Sequence, residues 1–220
     1  MASSKMAQLA LYRAAQFFTA LKAYLPTWAG GGLTSVDEAL AVAILTTPAQ
    51  RQLFARMSPN DQHHAVAVVR TLRQAGYNQP ALLQAALLHD VAKSIGQPII
   101  YRVLIVLLKA FWPSAFQRLS QSGAQRIVTL HDGGDAVNRL TSNLDPLSTI
   151  HDSLSSTPGW RRPFFIHAHH PAIGAIWAEE AGCEPLAVNL IARHQDILSA
   201  ESVEEEERLL AALQWADNLN

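Results

Sequence analysis

Apolar residues recur at helical spacing along most of the chain, and strand-like alternation is scarce. Leu11, Ala14, Phe18, Leu21 and Leu25 keep that spacing and predict an amphipathic helix over about 5–25, ended by Pro26 and the glycines that follow. Val36 to Leu45 reads as a short helix. Ser58-Pro59-Asn60-Asp61 is a helix start with proline near the first position, and the helix it opens is expected to reach Ala75 and stop at Gly76. Pro80 opens another, carried through Leu88 and on past His89 and Asp90 to Lys93. Pro98 and Pro113 bracket a strongly apolar stretch expected to be a buried core helix. Arg102 and Lys109 leave only six residues free of charge between them, whereas a membrane span needs roughly 20.

From Ser114 to Pro163 the periodicity weakens and Ser, Thr, Gly, Asp and Asn accumulate. This predicts an irregular insertion with one or two short helices. Regular helix is expected again from Pro171, and then from Pro185 to His194. Ser202 followed by Glu205 predicts a capping box for a last helix, and the acidic run Glu204 to Glu207 reads as its solvated first turn. The fold class expected is therefore all-α: a helical bundle over 55–220, with 1–54 as an N-terminal helical extension and linker and 114–163 as the insertion.

Composition narrows the function. The 220 residues suffice for one good-sized core, and the 49% apolar content, rich in Ala and Leu, favours helices. A formal net charge of −1 argues against a protein built to coat nucleic acid or an anionic membrane. Cys183 stands alone, with no CxxC pair, which fits a reducing compartment and a cytoplasmic location. The triple glycine at 30–32 lacks the GKS or GKT ending of a phosphate loop and reads as a linker.

The candidate chemistry lies in polar residues on apolar helix faces. His89 shares a face with Leu82, Ala85 and Ala86, and Asp90 shares one with Leu83, Ala86 and Leu87. His64 lines up with Val68, Leu72 and Ala75; His194 with Ala187, Leu190 and Ile191; Asp217 with Leu210 and Leu213. A carboxylate turned into such a face is costly unless paired or bound to a cation. One divalent ion would satisfy several of these groups together. Imidazole with carboxylate suits Mn, Fe, Co, Ni or Zn; carboxylate alone suits Mg. A lone histidine on an apolar face is more often an ordinary core residue, so the weight rests on the set. The His-Asp dipeptide occurs three times, but His131-Asp132 and His151-Asp152 fall in the polar insertion with no apolar helical run before them, and read as exposed loop residues.

This order of motifs resembles the HD superfamily of metal-dependent phosphohydrolases. His64-Ala-Val-Ala-Val-Val resembles its first-histidine helix, Ala86-Leu-Leu-His-Asp-Val-Ala-Lys93 its His-Asp-x-Gly-Lys motif, and Gln214-Trp-Ala-Asp217 its final Ala-Asp motif. The resemblance covers roughly residues 55–220. Ala92 stands where the family usually has glycine, and alanine suits a helix continuing through the site. His170-Pro-Ala-Ile-Gly174 and Leu190-Ile-Ala-Arg-His194 are similar to motifs of the two-metal branch, in which a His-His pair is common; Gln195 takes the second place here.

The resemblance implies a fold, a site and an activity. Asp90 would bridge two metals, with His64, His89 and Asp217 on one and His170 and His194 on the other; one metal is the simpler variant. A metal-activated water would attack phosphorus. Lys93 would hold the phosphate and neutralise charge, with Arg193 and His169 as further substrate contacts. Arg161 and Arg162 are further candidate phosphate clamps, and His167 and His169 are open as ligands, substrate contacts or plain surface residues. The substrate class implied is a nucleotide or related small phosphorylated molecule, with neither extended nucleic acid nor a membrane span. The alternatives are a non-catalytic HD-like signalling or ligand-binding module, which would usually have lost ligand residues, and an HD nuclease, which would want a basic groove.

Overall fold

The computed structural model describes residues 32–94, 99–120, 155–198 and 204–220. The expected 5–25 helix, the pairs His131-Asp132 and His151-Asp152, and Ser202 lie outside them. Among the described residues there is helix and no strand, so the chain is all-α.

The elements in order are α1 (Ser35–Ile44), α2 (Pro48–Ala55), α3 (Pro59–Gln74), α4 (Pro80–Leu88), a 3-10 turn (Val91–Ser94), α5 (Ile99–Phe111), α6 (Pro113–Ser120), α7 (Arg162–Glu180), α8 (Pro185–Arg193) and α9 (Glu205–Leu219). Six of these helices carry proline in the first turn, where its missing N–H removes no helical bond: α2, α3, α4, α6, α7 and α8. Thr34 and Thr47 close capping boxes with Asp37 and Gln50 on α1 and α2.

Helix α4 is the centre of the molecule. Every residue from Ala81 to Leu88 is buried, four of them leucines, each stabilising by about 1.5–3 kcal/mol relative to exposure. Its one polar residue, Gln84, accepts a hydrogen bond from the Glu184 N–H at the start of α8 (3.2 Å). Helices α3 and α8 pack against α4, α7 packs along α8, and α9 lies across α3, α4 and α8. Helices α1 and α2 join the same core through Ala41, Ile44, Leu53 and Phe54, and Thr47 and Gln50 donate to the Ala181 and Gly182 carbonyls (3.0 and 2.9 Å).

Three sequence expectations change. Helix α4 does not run through the site: it stops at Leu88, His89 is its C-cap, and a 3-10 turn follows. Helix α7 begins at Arg162, not at Pro171, which lies inside it. Of the one or two short helices expected within 114–163, α6 lies at its start. The stretch between Pro98 and Pro113 is not a buried core helix. Ile105 faces inward, but Leu104 and Leu107 are about half exposed and Phe111 and Trp112 are 72% and 68% exposed. None of the described helices is long and apolar enough to cross a membrane.

Candidate metal centre

Five separate pieces of chain deliver the predicted residues to one place. His64 comes from the middle of α3, His89 and Asp90 from the turn after α4, His170 from mid-α7, His194 from the end of α8, and Asp217 from the last turn of α9. His64 Nε2 lies 2.8 Å from Asp217 Oδ1, and His89 Nε2 lies 3.4 Å from the same oxygen and 3.7 Å from Asp90 Oδ2. On the other side of Asp90, Oδ1 faces His170 Nε2 at 3.3 Å and His194 Nε2 at 3.8 Å. His170 Nε2 and His194 Nε2 are 3.2 Å apart. The two carboxylate oxygens of Asp90 thus look toward different histidine groups. Potential ligand atoms of His64, His89 and Asp90 form one close set, and those of Asp90, His170 and His194 another, each within 4.8 Å of one another.

The imidazole tautomers follow from the backbone. His89 Nδ1 is 3.0 Å from the Ala86 carbonyl, His170 Nδ1 is 2.7 Å from that of His167, and His194 Nδ1 is 2.8 Å from that of Ile191. A carbonyl only accepts, so each Nδ1 carries the proton and each neutral ring presents an Nε2 lone pair to the cluster. Metal-bound histidines are held in this way, with the second nitrogen donating to a carbonyl or carboxylate.

Lone pairs turned toward one another need a cation or a proton. Asp90 Oδ1 and His89 Nε2 are buried with no hydrogen-bond partner. Burial disfavours charge on His89, yet Asp90 and Asp217 outweigh it and raise its pKa. A proton would therefore serve His89. It would serve the other pair less well: burial and Lys93 lower the pKa of His170 against the pull of Asp90, and burial with repulsion from His89 and His170 brings His194 down to about 3. Both of those rings stay neutral, with Nε2 facing Nε2.

The donor set fits a divalent ion. Around a metal with bonds of roughly 2.0–2.1 Å, neighbouring ligand atoms sit about 3.0–3.4 Å apart, close to the spacings between His170 and His194 and between His170 and Asp90. Burial pushes the Asp90 carboxyl up, but Lys93 and His89 outweigh it and hold it well below the usual carboxylate range. Asp217 is likewise pushed up by burial and brought down further by its bonds to His64 and His89. Both carboxylates are therefore ionised, as ligands must be.

The other candidates have other neighbours. Lys93 Nζ is 2.6 Å from Asp90 Oδ2, so the lysine touches the cluster itself. The Arg193 guanidinium is engaged by carboxylates: Asp196 at 3.4 Å, Glu206 at 2.9 Å, and Glu207. Two members of the acidic run therefore hold an arginine, where a solvated turn was expected. His169 stacks on Phe165, with ring centroids 4.5 Å apart, and His167 lies between the rings of Phe116 and His170. Burial lowers the His167 pKa to about 3. Arg161 donates to the Arg118 and Leu119 carbonyls and Arg162 to that of Thr157.

Two participants carried too little sequence signal to be assigned a role. Gln195 Nε2 reaches His170 Nε2 at 3.4 Å, from the place where the resemblance would put a second histidine. Gly174 faces the site from α7: a Cβ there would reach ordinary contact with Ile191 and Val91 side-chain carbons at 3.4 Å and the His89 carbonyl at 3.7 Å, so a small residue suffices. Comparison of the chain with protein-family models, with curated proteins and with solved structures returns no match.

Proposed function

We propose that the chain is a metal-dependent phosphohydrolase of the HD type, cleaving a phosphoester or phosphoanhydride bond in a nucleotide or related small molecule. The observation that carries this reading is the buried pair of neutral imidazoles, His170 and His194, aimed at each other and at the unpartnered Oδ1 of Asp90. Four buried groups, His89, Asp90, His170 and His194, with the part-exposed His64 and Asp217 beside them, suit divalent-cation binding better than core packing.

His64, His89 and Asp217 would hold one ion, His170 and His194 a second, with Asp90 shared between them. When bound, divalent ions activate water as a nucleophile near neutral pH and draw charge off a phosphoryl group. Lys93 now occupies Asp90 Oδ2, and its side chain is 21% exposed. With a cation held at Asp90, the lysine ammonium would be free to turn toward solvent and meet a phosphoryl oxygen, neutralising charge there. The carbonyls of Ala86, His167 and Ile191 hold three rings in orientation, so little reorganisation is left for the reaction.

Metal quantification on protein purified without chelator, followed by turnover of a panel of nucleotides and other phosphoesters, tests the reading. Two metals per chain in the wild type, and about one in His170→Ala with a sharply lower kcat, are expected. One metal per chain under metal-replete conditions would remove the two-metal version. No metal and no turnover would remove the proposal.

A further inference from the structure

His89, His170 and His194 donate from Nδ1 to a carbonyl three residues back, but a helix does not normally leave that carbonyl free. In an α-helix the carbonyl of residue i−3 is claimed by the N–H of residue i+1. For His89 the claimant would be Asp90, and for His194 it would be Gln195. Both lie beyond the ends of their helices, and neither makes that backbone bond. Ending the helix leaves the carbonyl to the ring.

His170 has no such help, because it sits well inside α7. The residue that would claim the His167 carbonyl is 171, and residue 171 is proline, which has no N–H. Its ring also crowds the carbonyl four residues back and tips it out of the ladder. The same vacancy is thus made three times, twice by stopping a helix and once by a mid-helix proline. Proline is the least favourable residue in a helix interior, and Pro171 is buried, so its placement beside a site histidine calls for a local reason.

We propose that Pro171 is a positioning residue: by removing the one backbone donor that would claim the His167 carbonyl, it reserves that carbonyl for His170 Nδ1–H and so fixes the Nε2 lone pair toward Asp90 and His194. The inference rests on the reading of the cluster as a metal centre, but part of its test does not. Two variants separate the missing N–H from the ring. Pro171→Ala restores the donor. A lactic acid residue at 171, which is alanine with an ester in place of the amide, has neither donor nor ring.

Affinity for Mn or Zn and the 15N chemical shifts of the His170 ring in chelator-treated protein are read on wild type and both variants. Pro171→Ala is expected to be helical and to melt higher, yet to bind metal about 10–100-fold more weakly at the His170 side. Its His170 ring should show a mixture of tautomers where the wild type shows Nδ1–H alone. The ester variant should return to wild-type affinity and tautomer. Wild-type affinity and tautomer in Pro171→Ala would overturn the inference, and so would an ester variant that behaves like alanine. If wild-type protein binds no metal, the metal reading fails, while the ring shifts still decide the role of Pro171.

Discussion

His64 on α3 and Asp217 on α9 meet at 2.8 Å across 153 residues of sequence. Neither needs the other for its helix to form. They meet because α9 packs across α3, burying Leu209, Leu210, Leu213 and Ala216. The apolar face of α9 therefore sets the position of the carboxylate, and core packing and site assembly are one event.

The first expectation concerns metal removal. Without a cation, the lone pairs of His170, His194 and Asp90 oppose each other in a buried space. At a free metal concentration of 100 times Kd, binding stabilises the fold by about 2.7 kcal/mol. Chelator treatment should lower Tm by several degrees, and Mn or Zn should restore it. A Tm indifferent to chelator and to added metal would count against the centre.

Lys93→Ala should have opposite weight in the two states. In metal-free protein it strips the buried Asp90 of its nearest cation, at a cost of up to about 3 kcal/mol. In metal-loaded protein the ion has taken that role, so stability should barely change while phosphoester turnover falls. Urea melts with and without metal measure both. An equal loss in the two states would show that the lysine stays on Asp90 when metal is bound.

Gly174→Ala should be tolerated within about 1 kcal/mol, because its Cβ reaches ordinary contact with Ile191 and Val91 and alanine favours the helix. Gly174→Val extends into those side chains and should cost about 1–3 kcal/mol. It also presses on Val91, next to Asp90, so metal affinity should fall with stability. Thermal melts and metal titration of the two variants check the contrast.

Asp37 supplies a pH dependence away from the centre. Its carboxylate is buried, accepts from the Thr34 hydroxyl (2.7 Å) and N–H (3.2 Å), and pairs with Arg70 at 2.5 Å. Burial pushes its pKa up, but Thr34 and Arg70 outweigh that and lower it. A lowered folded pKa means that the stabilisation is complete above the unfolded value of roughly 3.9 and is lost as the pH falls through the folded one. Asp37→Ala should therefore cost about 1 kcal/mol at pH 7, and its difference from wild type should narrow below about pH 4. Urea melts across that range give the answer.

The legible parts of this chain were those written in local pattern. Prolines at 59, 80 and 185 marked helix starts because their geometry suits the first turn, and Gly76, at φ +91°, marked a stop. The polar residues on apolar faces led to the cluster, since burial without a partner is costly wherever it occurs. Pro171 misled in the opposite direction: a proline is a start signal in sequence, and only the packing of α7 against α8 shows it inside a helix. Helix α2 has a local signal of its own in the capping box of Thr47 and Gln50 with Pro48 at its first position, although the apolar spacing predicts no helix there. The exposure of α5 depends on what its neighbours cover, which no spacing of apolar residues encodes.

The burial of α4 on every side has a consequence for how the molecule opens. Backbone amides in a segment enclosed by α3, α8 and α9 are expected to exchange with solvent only when the whole fold comes apart. His89 and Asp90 hang from the end of that segment, whereas the Asp217 side chain is 31% exposed. Deuterium should enter α4 last of all. Under the proposed function an ion or a substrate would come and go past Asp217, with His89 and Asp90 as the fixed floor.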